Sequence, residues 1–296
     1  MPNRTRCIQH SIRWRIVFVL SFTALAAIFV YRDAVIEVTQ SVLHREGSSH
    51  GLFVPFLTAW FVWINRNVLK RLNVKYDFVG IPLIVMGISP PLFGIESLQL
   101  QFLGLIVFIW GLTGLLLGRA FLWRLAFPIL FLITMTPIPE PIFDQTADFL
   151  RSINFWASLK ILDVFSVPYF REGWMLHLPE SVLKVAIGCS GIRYLISYLV
   201  FAAAYGYLFK TSWKGRLLIL TLSIPIAFLA SIIRLSLIFL LSYYISPRLS
   251  EHGPHVVISW IVFFAILMAS MLVDRRISEG HERNASGSKD SALSFK

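Results

Sequence analysis

RLLILTLSIPIAFLASIIRLSLIFLLSYYI, residues 216–245, holds no acidic residue and, past Arg216 at its start, a single charge at Arg234. A helix rises ~1.5 Å per residue and needs ~20 apolar residues to cross a bilayer, so this run belongs in a membrane. It is too long for one perpendicular helix, and Pro225 predicts a kink. The continuation from Leu235 to Ile245 is then open to three readings: tilted, lying in the interface, or folded back.

The rest of the chain agrees. It has 296 residues, 56% of them hydrophobic, and a mean hydropathy of +0.71, which marks an integral membrane protein. Further apolar runs fall at about 16–31, 50–64, 78–95, 99–118, 120–136, 190–209 and 256–273. The expected fold is therefore an all-α polytopic membrane protein with about eight transmembrane helices. Arg4, Arg6, Arg13 and Arg15 precede the first run, which ends Phe-Val-Tyr-Arg with no small-x-small cleavage pattern, so it reads as an uncleaved span.

Net charge is +11, from 27 basic and 16 acidic residues. A basic chain raises the question of nucleic acid, but here the basic residues lie between the apolar runs, and membrane topology accounts for them. Cytoplasmic loops are enriched in Lys and Arg. Arg66, Lys70, Arg71 and Lys75, then Arg119 and Arg124, then Lys210, Lys214 and Arg216, then Arg275 and Arg276 alternate with balanced segments at 32–49, 96–98, 137–188 and 246–255. Both termini are expected inside. Residues 1–275 then form one multispan membrane domain with an outer-face segment at 137–188, followed by a disordered cytoplasmic tail at 276–296.

Within the outer segment, residues 141–165 place Phe149, Ile153, Phe155, Leu159, Leu162 and Phe165 among charges, which predicts an amphipathic helix on the outer surface. Alternation around Pro179-Glu180-Ser181 predicts a small hairpin leading into span six.

That span opens with VAIGCSGIRYL, residues 185–195. Cys189 sits where a helix N-terminus carries partial positive charge, a setting that favours a thiolate, and Gly191 permits close backbone approach. Cys7 is on the opposite side, so the two cysteines cannot pair. Arg234 lies eighteen residues beyond Arg216, ~27 Å along a helix, and so near the outer boundary. An intramembrane charge is a functional candidate by default. His255 opens span eight on the same side, where an imidazole donates or accepts protons. Cys, Arg and His at one depth suit cysteine-based acyl transfer: a nucleophile, a fixed cation for the oxyanion and a proton donor for the leaving amine. His50, Arg193, His177 and His252 are supporting candidates in reach of the same face. Neither Cys/His metal spacing nor a phosphate-binding glycine motif occurs, so no metal and no cofactor are expected. A transporter or export-channel subunit serving exopolysaccharide, and a non-catalytic scaffold, remain open as other readings of the residues.

The block Ala186 to Arg193, the stretch Pro225 to Arg234 and the run His255 to Phe263 resemble the three signature blocks of the exosortase/archaeosortase family. SHGLFVPFLTAWFVW and TPIPEPIFDQTADFL resemble its early blocks, and the resemblance covers residues 48–273. Ser231 stands where that family usually has Asn, and Ser259 where it usually has Gly. The resemblance implies a multispan cysteine transpeptidase of the bacterial cytoplasmic membrane, with its active site facing the periplasm or exterior. It implies membrane-anchored partners whose C-terminal sorting signals are PEP-CTERM-like: a motif, a transmembrane helix and a basic tail. Cys189 matches the nucleophile, Arg234 the essential arginine and His255 the histidine.

Overall fold

The computed structural model describes residues 29–44, 49–210, 212–250, 256–274 and 276. The chain divides into two units, residues 1–140 and 141–296.

In the first unit, α1 (Arg32–His44), α2 (Val54–Ile64), α3 (Ile81–Leu92) and α4 (Leu98–Leu117) are accompanied by brief helices at Arg66–Leu69, Arg119–Arg124 and Ala126–Phe131. Asp77 caps the turn before α3 by accepting from the Val79 amide at 3.1 Å. Pro82 occupies the first turn of α3, where no amide proton is needed. The α3 and α4 backbones then touch, because glycines face each other across the seam. A Cβ on Gly87 would stand 2.6 Å from the Phe108 nitrogen, and one on Gly104 would stand 2.7 Å from the Gly87 oxygen. Small residues allow this approach where lipid supplies no hydrophobic drive. On one side of the pair, Tyr31, Val38, Val42, Phe102, Ile106, Phe121 and Ile129 form a buried cluster.

The second unit carries α5 (Glu140–Val164), a sheet, α6 (Ile192–Phe209), α7 (Trp213–Tyr244) and α8 (Val256–Asp274). The amphipathic helix expected at 141–165 is α5. Its buried face runs Ala147, Leu150, Asn154, Phe155, Ser158, Leu159 and Leu162, while Phe149 and Phe165 are exposed. The expected hairpin belongs to a larger element. β1 (Phe170–Glu172), β2 (Met175–Leu178) and β3 (Ser181–Lys184) form an antiparallel sheet in the order β1-β2-β3. Leu176 pairs with Leu183, and with Leu178 and Val185 they bury one face against Phe155, Leu159, Leu162, Leu235 and Phe239.

Of the three readings for Leu235 to Ile245, α7 removes the folded-back one: it is one helix through Pro225 to Tyr244. At ~1.5 Å per residue it is ~48 Å long, well beyond the ~30 Å hydrocarbon thickness. Its last turns are used by the cluster beneath the sheet, to which Leu235 and Phe239 belong. Its buried face is Ser223, Ala227, Ala230, Ser231, Arg234, Ile238 and Ser242, small near the middle, while Leu218, Leu222, Leu229 and Ile233 are exposed. α8 is fixed to α6 by aromatic residues. The Tyr198 hydroxyl donates to the Phe263 carbonyl at 2.9 Å, and the two rings lie 4.9 Å apart.

Against about eight expected spans, four described helices are long and apolar enough to cross a membrane: α4, α6, α7 and α8. Residues 126–135 and α5, bent by 78° at their junction, raise the number to five only if that pair is taken as one span. The runs at 50–64 and 78–95 form shorter apolar helices. The run at 120–136 breaks at Leu125 and passes into a 3-10 turn at Leu132–Met135. Prolines such as Pro90, Pro91 and Pro128 shorten these elements by removing donors, although composition alone keeps them greasy. The expected span at 16–31 and the tail from 277 lie outside the described residues, apart from residues 29–31.

Candidate active site

Three elements meet where the sheet hands the chain to α6. β3 ends at Lys184, and Val185 donates back to the Trp174 carbonyl at 2.9 Å. Arg151 of α5 holds the same place from the other side: its guanidinium stacks 3.9 Å over the Trp174 ring and donates to the Val185 carbonyl at 3.4 Å. The chain then makes a 3-10 turn, Ile187–Cys189, in which the Cys189 amide donates to the Ala186 carbonyl at 2.8 Å. Cys189 is half-buried and packs against the cluster under the sheet.

Arg234 comes to this turn from α7. It is 4% exposed, and its Nη2 donates to the Cys189 carbonyl at 3.0 Å. Its guanidinium carbon lies 5.1 Å from the centre of the Tyr194 ring on α6. No carboxylate lies within ion-pair distance of Arg234 among the described residues, and its Nε is buried without a hydrogen-bond partner. A buried guanidinium is expensive unless its charge is answered. Here a carbonyl dipole and a π face answer part of it, and the unused donor leaves capacity for an anion. Such a group stabilises negative charge that forms beside it without further rearrangement.

Two buried polar residues complete the turn. Asn154, 1% exposed on α5, donates from Nδ2 to the Ser190 carbonyl and to Ser231 Oγ, the latter at 2.9 Å. The Ser190 hydroxyl accepts from the Ile192 amide at 3.3 Å, a local bond that spans Gly191, the N-cap of α6. Gly191 follows with φ +89°, a left-handed conformation that disfavours side chains. A Cβ there would also stand 2.6 Å from Asn154 Nδ2 and 2.8 Å from Ser231 Cβ. Glycine is required twice over, by conformation and by space.

Cys189 and Arg234, from separate spans, are therefore brought together. His255 and His252 lie outside the described residues, as does Cys7. The helix that His255 precedes in sequence, α8, starts at Val256, and the Tyr194 hydroxyl donates to the Ser259 carbonyl in its first turn. The ring beneath Arg234 thus also holds the opening turn of α8. Arg193 is half-buried in the first turn of α6. His177 lies on β2 between two buried leucines, so it points to the opposite sheet face, where its Nε2 lies 3.2 Å from Glu172 Oε2. His50 belongs to the first unit, with Nε2 3.1 Å from the Thr134 carbonyl. No cluster of three or more His, Cys, Asp or Glu able to hold a metal occurs among the described residues.

Sequence reading missed Asn154, Ser231 as its partner, and Tyr194. The signal for Asn154 was present: residues 147, 150, 154 and 158 share one helical face, and an amide interrupts it.

A family model described as transmembrane exosortase matches residues 42–272. No curated protein and no solved structure matches the chain.

Proposed function

We propose, from the premise that this chain belongs to the transmembrane exosortase family, that it is a membrane cysteine transpeptidase acting through Cys189, Arg234 and His255. The family is one of transpeptidases that process sorting signals. The finer reading is that a substrate's C-terminal helix docks among the spans and presents its PEP-CTERM-like motif at the outer face. The observation that carries the assignment of residues is the buried Arg234 guanidinium donating to the carbonyl of Cys189 at 3.0 Å.

The Cys189 thiolate attacks the scissile carbonyl and forms a C–S bond, giving a tetrahedral oxyanion that Arg234 faces with a fixed positive charge. As the oxyanion collapses, the C–N bond breaks, and the departing amine takes a proton from His255 acting as general acid. The thioester left on Cys189 keeps the substrate's N-terminal part, while the helix and basic tail depart. An incoming amine then attacks the thioester, with water as the competing nucleophile. His255 accepts the attacking group's proton, and the thiolate is restored.

The test is a reporter ending in a C-terminal sorting signal from the same genome, expressed with the enzyme. Wild type shortens the reporter; Cys189→Ala and Cys189→Ser leave it full length in the membrane. Shortening at the wild-type rate by Cys189→Ser contradicts the assignment and favours a scaffold.

A further inference from the structure

The Asn154 amide makes two donations and accepts none. Its Oδ1 is buried with no hydrogen-bond partner among the described residues, while both Nδ2 donations go to Ser190 O and Ser231 Oγ. The amide cannot be turned over, because that would set Oδ1 against the Ser190 carbonyl oxygen. An orphaned buried acceptor is destabilising, and an apolar residue would fill the same face of α5 without that penalty. Packing alone therefore does not account for an asparagine here.

What the amide achieves is local. Ser190 O is drawn toward α5, while the preceding carbonyl, of Cys189, is drawn toward Arg234 on α7. Two successive peptide planes are thus held by two separate helices. A peptide unit is trans and planar, so holding Ser190 O on the α5 side turns the Gly191 N–H to the opposite side. The turn carrying Cys189 and the amide that follows it then have one orientation. Ser231 braces Asn154 from α7, and Gly191 leaves room for both, since any Cβ would meet them.

We infer that Asn154 is a positioning residue for the reaction: it fixes the Ser190–Gly191 peptide and through it the setting of Cys189. This rests on the reading of Cys189 as the nucleophile. It acts through the turn and touches no reacting atom.

The experiment uses full-length protein, the sorting-signal reporter and iodoacetamide as a substrate-independent probe of Cys189 in a Cys7→Ser background. Asn154→Asp keeps the shape and, when ionised, removes both donors; Asn154→Leu removes all polarity; Ser158→Ala removes a neighbouring buried hydroxyl on the same helix face. A misplacement of under 1 Å is expected to lower the rate at saturating reporter by about tenfold or more in both Asn154 variants. The half-saturating reporter level should stay within about twofold, since binding of the signal's helix is not altered. Alkylation of Cys189 should change in parallel with the rate in both variants, while Ser158→Ala matches wild type in every reading. The inference is overturned if Asn154→Asp processes reporter within about threefold of wild type, or if lost activity only tracks lost folded protein. Cys189→Ala separates the two levels. Activity in that variant sinks the nucleophile, whereas an inactive Cys189→Ala beside an active Asn154→Asp sinks the positioning role alone.

Discussion

Arg234 donates to the backbone carbonyl of Cys189, so the charge buried in one span is spent on the turn that opens another. The contact is to backbone, which means that replacing the Cys189 side chain leaves it in place. It also ties the only guanidinium on the buried face of α7 to the peptide next to the candidate nucleophile.

Arg234→Lys should therefore fail. An ammonium cannot bond the Cys189 carbonyl, sit over the Tyr194 ring and keep a further donor aimed elsewhere, as the planar fork does. Reporter processing is expected to drop by about a hundredfold or more, the range seen when one oxyanion donor is removed. Membrane levels should stay near wild type. Processing within about threefold of wild type would show that charge alone suffices there.

Gly191→Ala tests the turn itself. The left-handed φ costs roughly 1–2 kcal/mol for any other residue, and the new methyl would press on Asn154 and Ser231. Thermal unfolding should begin earlier and processing should cease. Gly173→Ala serves as comparison: it shares the positive φ but has nothing within 4 Å of the added Cβ, so only the conformational part is lost.

Much of this site could be read along the chain and part could not. The convergence of Cys189 and Arg234 followed from counting loops and helix rise, because depth in a bilayer is set by length. Fewer of the described helices reach spanning length than the apolar runs suggested, because composition reports greasiness, whereas residues such as Pro90, Pro91 and Pro128 bear on how far a helix runs. β1 escaped notice because Phe170, Arg171 and Glu172 are all exposed and show no alternation. Asn154 was not legible because an amphipathic face shows itself through its apolar residues, and the residue that mattered is the polar one among them.

Tyr194→Phe keeps the ring under Arg234 and removes only the hydroxyl that holds the Ser259 carbonyl. A net loss of about 1 kcal/mol is expected, felt as faster amide exchange in the first turn of α8. Processing should slow, because His255 immediately precedes that turn in sequence. Tyr198→Phe removes the parallel bond to Phe263 one turn further on, and should loosen α8 while affecting processing less.

In the first unit, Gly87→Ala should reduce folded protein sharply, since its methyl would meet the Phe108 backbone at 2.6–2.7 Å. Gly94→Ala meets nothing within 4 Å and bears only the strain of φ +64°, roughly 1–2 kcal/mol. Yields of detergent-soluble monodisperse protein compare the two; equal yields would mean that the α3–α4 seam is looser than described.

Topology is checked with a membrane-impermeant maleimide on intact cells. Cys189 is expected to be labelled and Cys7 spared, in keeping with an outward-facing site and a cytoplasmic N-terminus.

The most direct measurement is mass spectrometry of enzyme purified with its reporter after rapid acid quench. Acyl transfer through Cys189 predicts a hydroxylamine-sensitive thioester joining Cys189 to the new C-terminus of the reporter, absent in Cys189→Ala. Reporter cleavage that proceeds in Cys189→Ala, or a covalent adduct on any other residue, would contradict it.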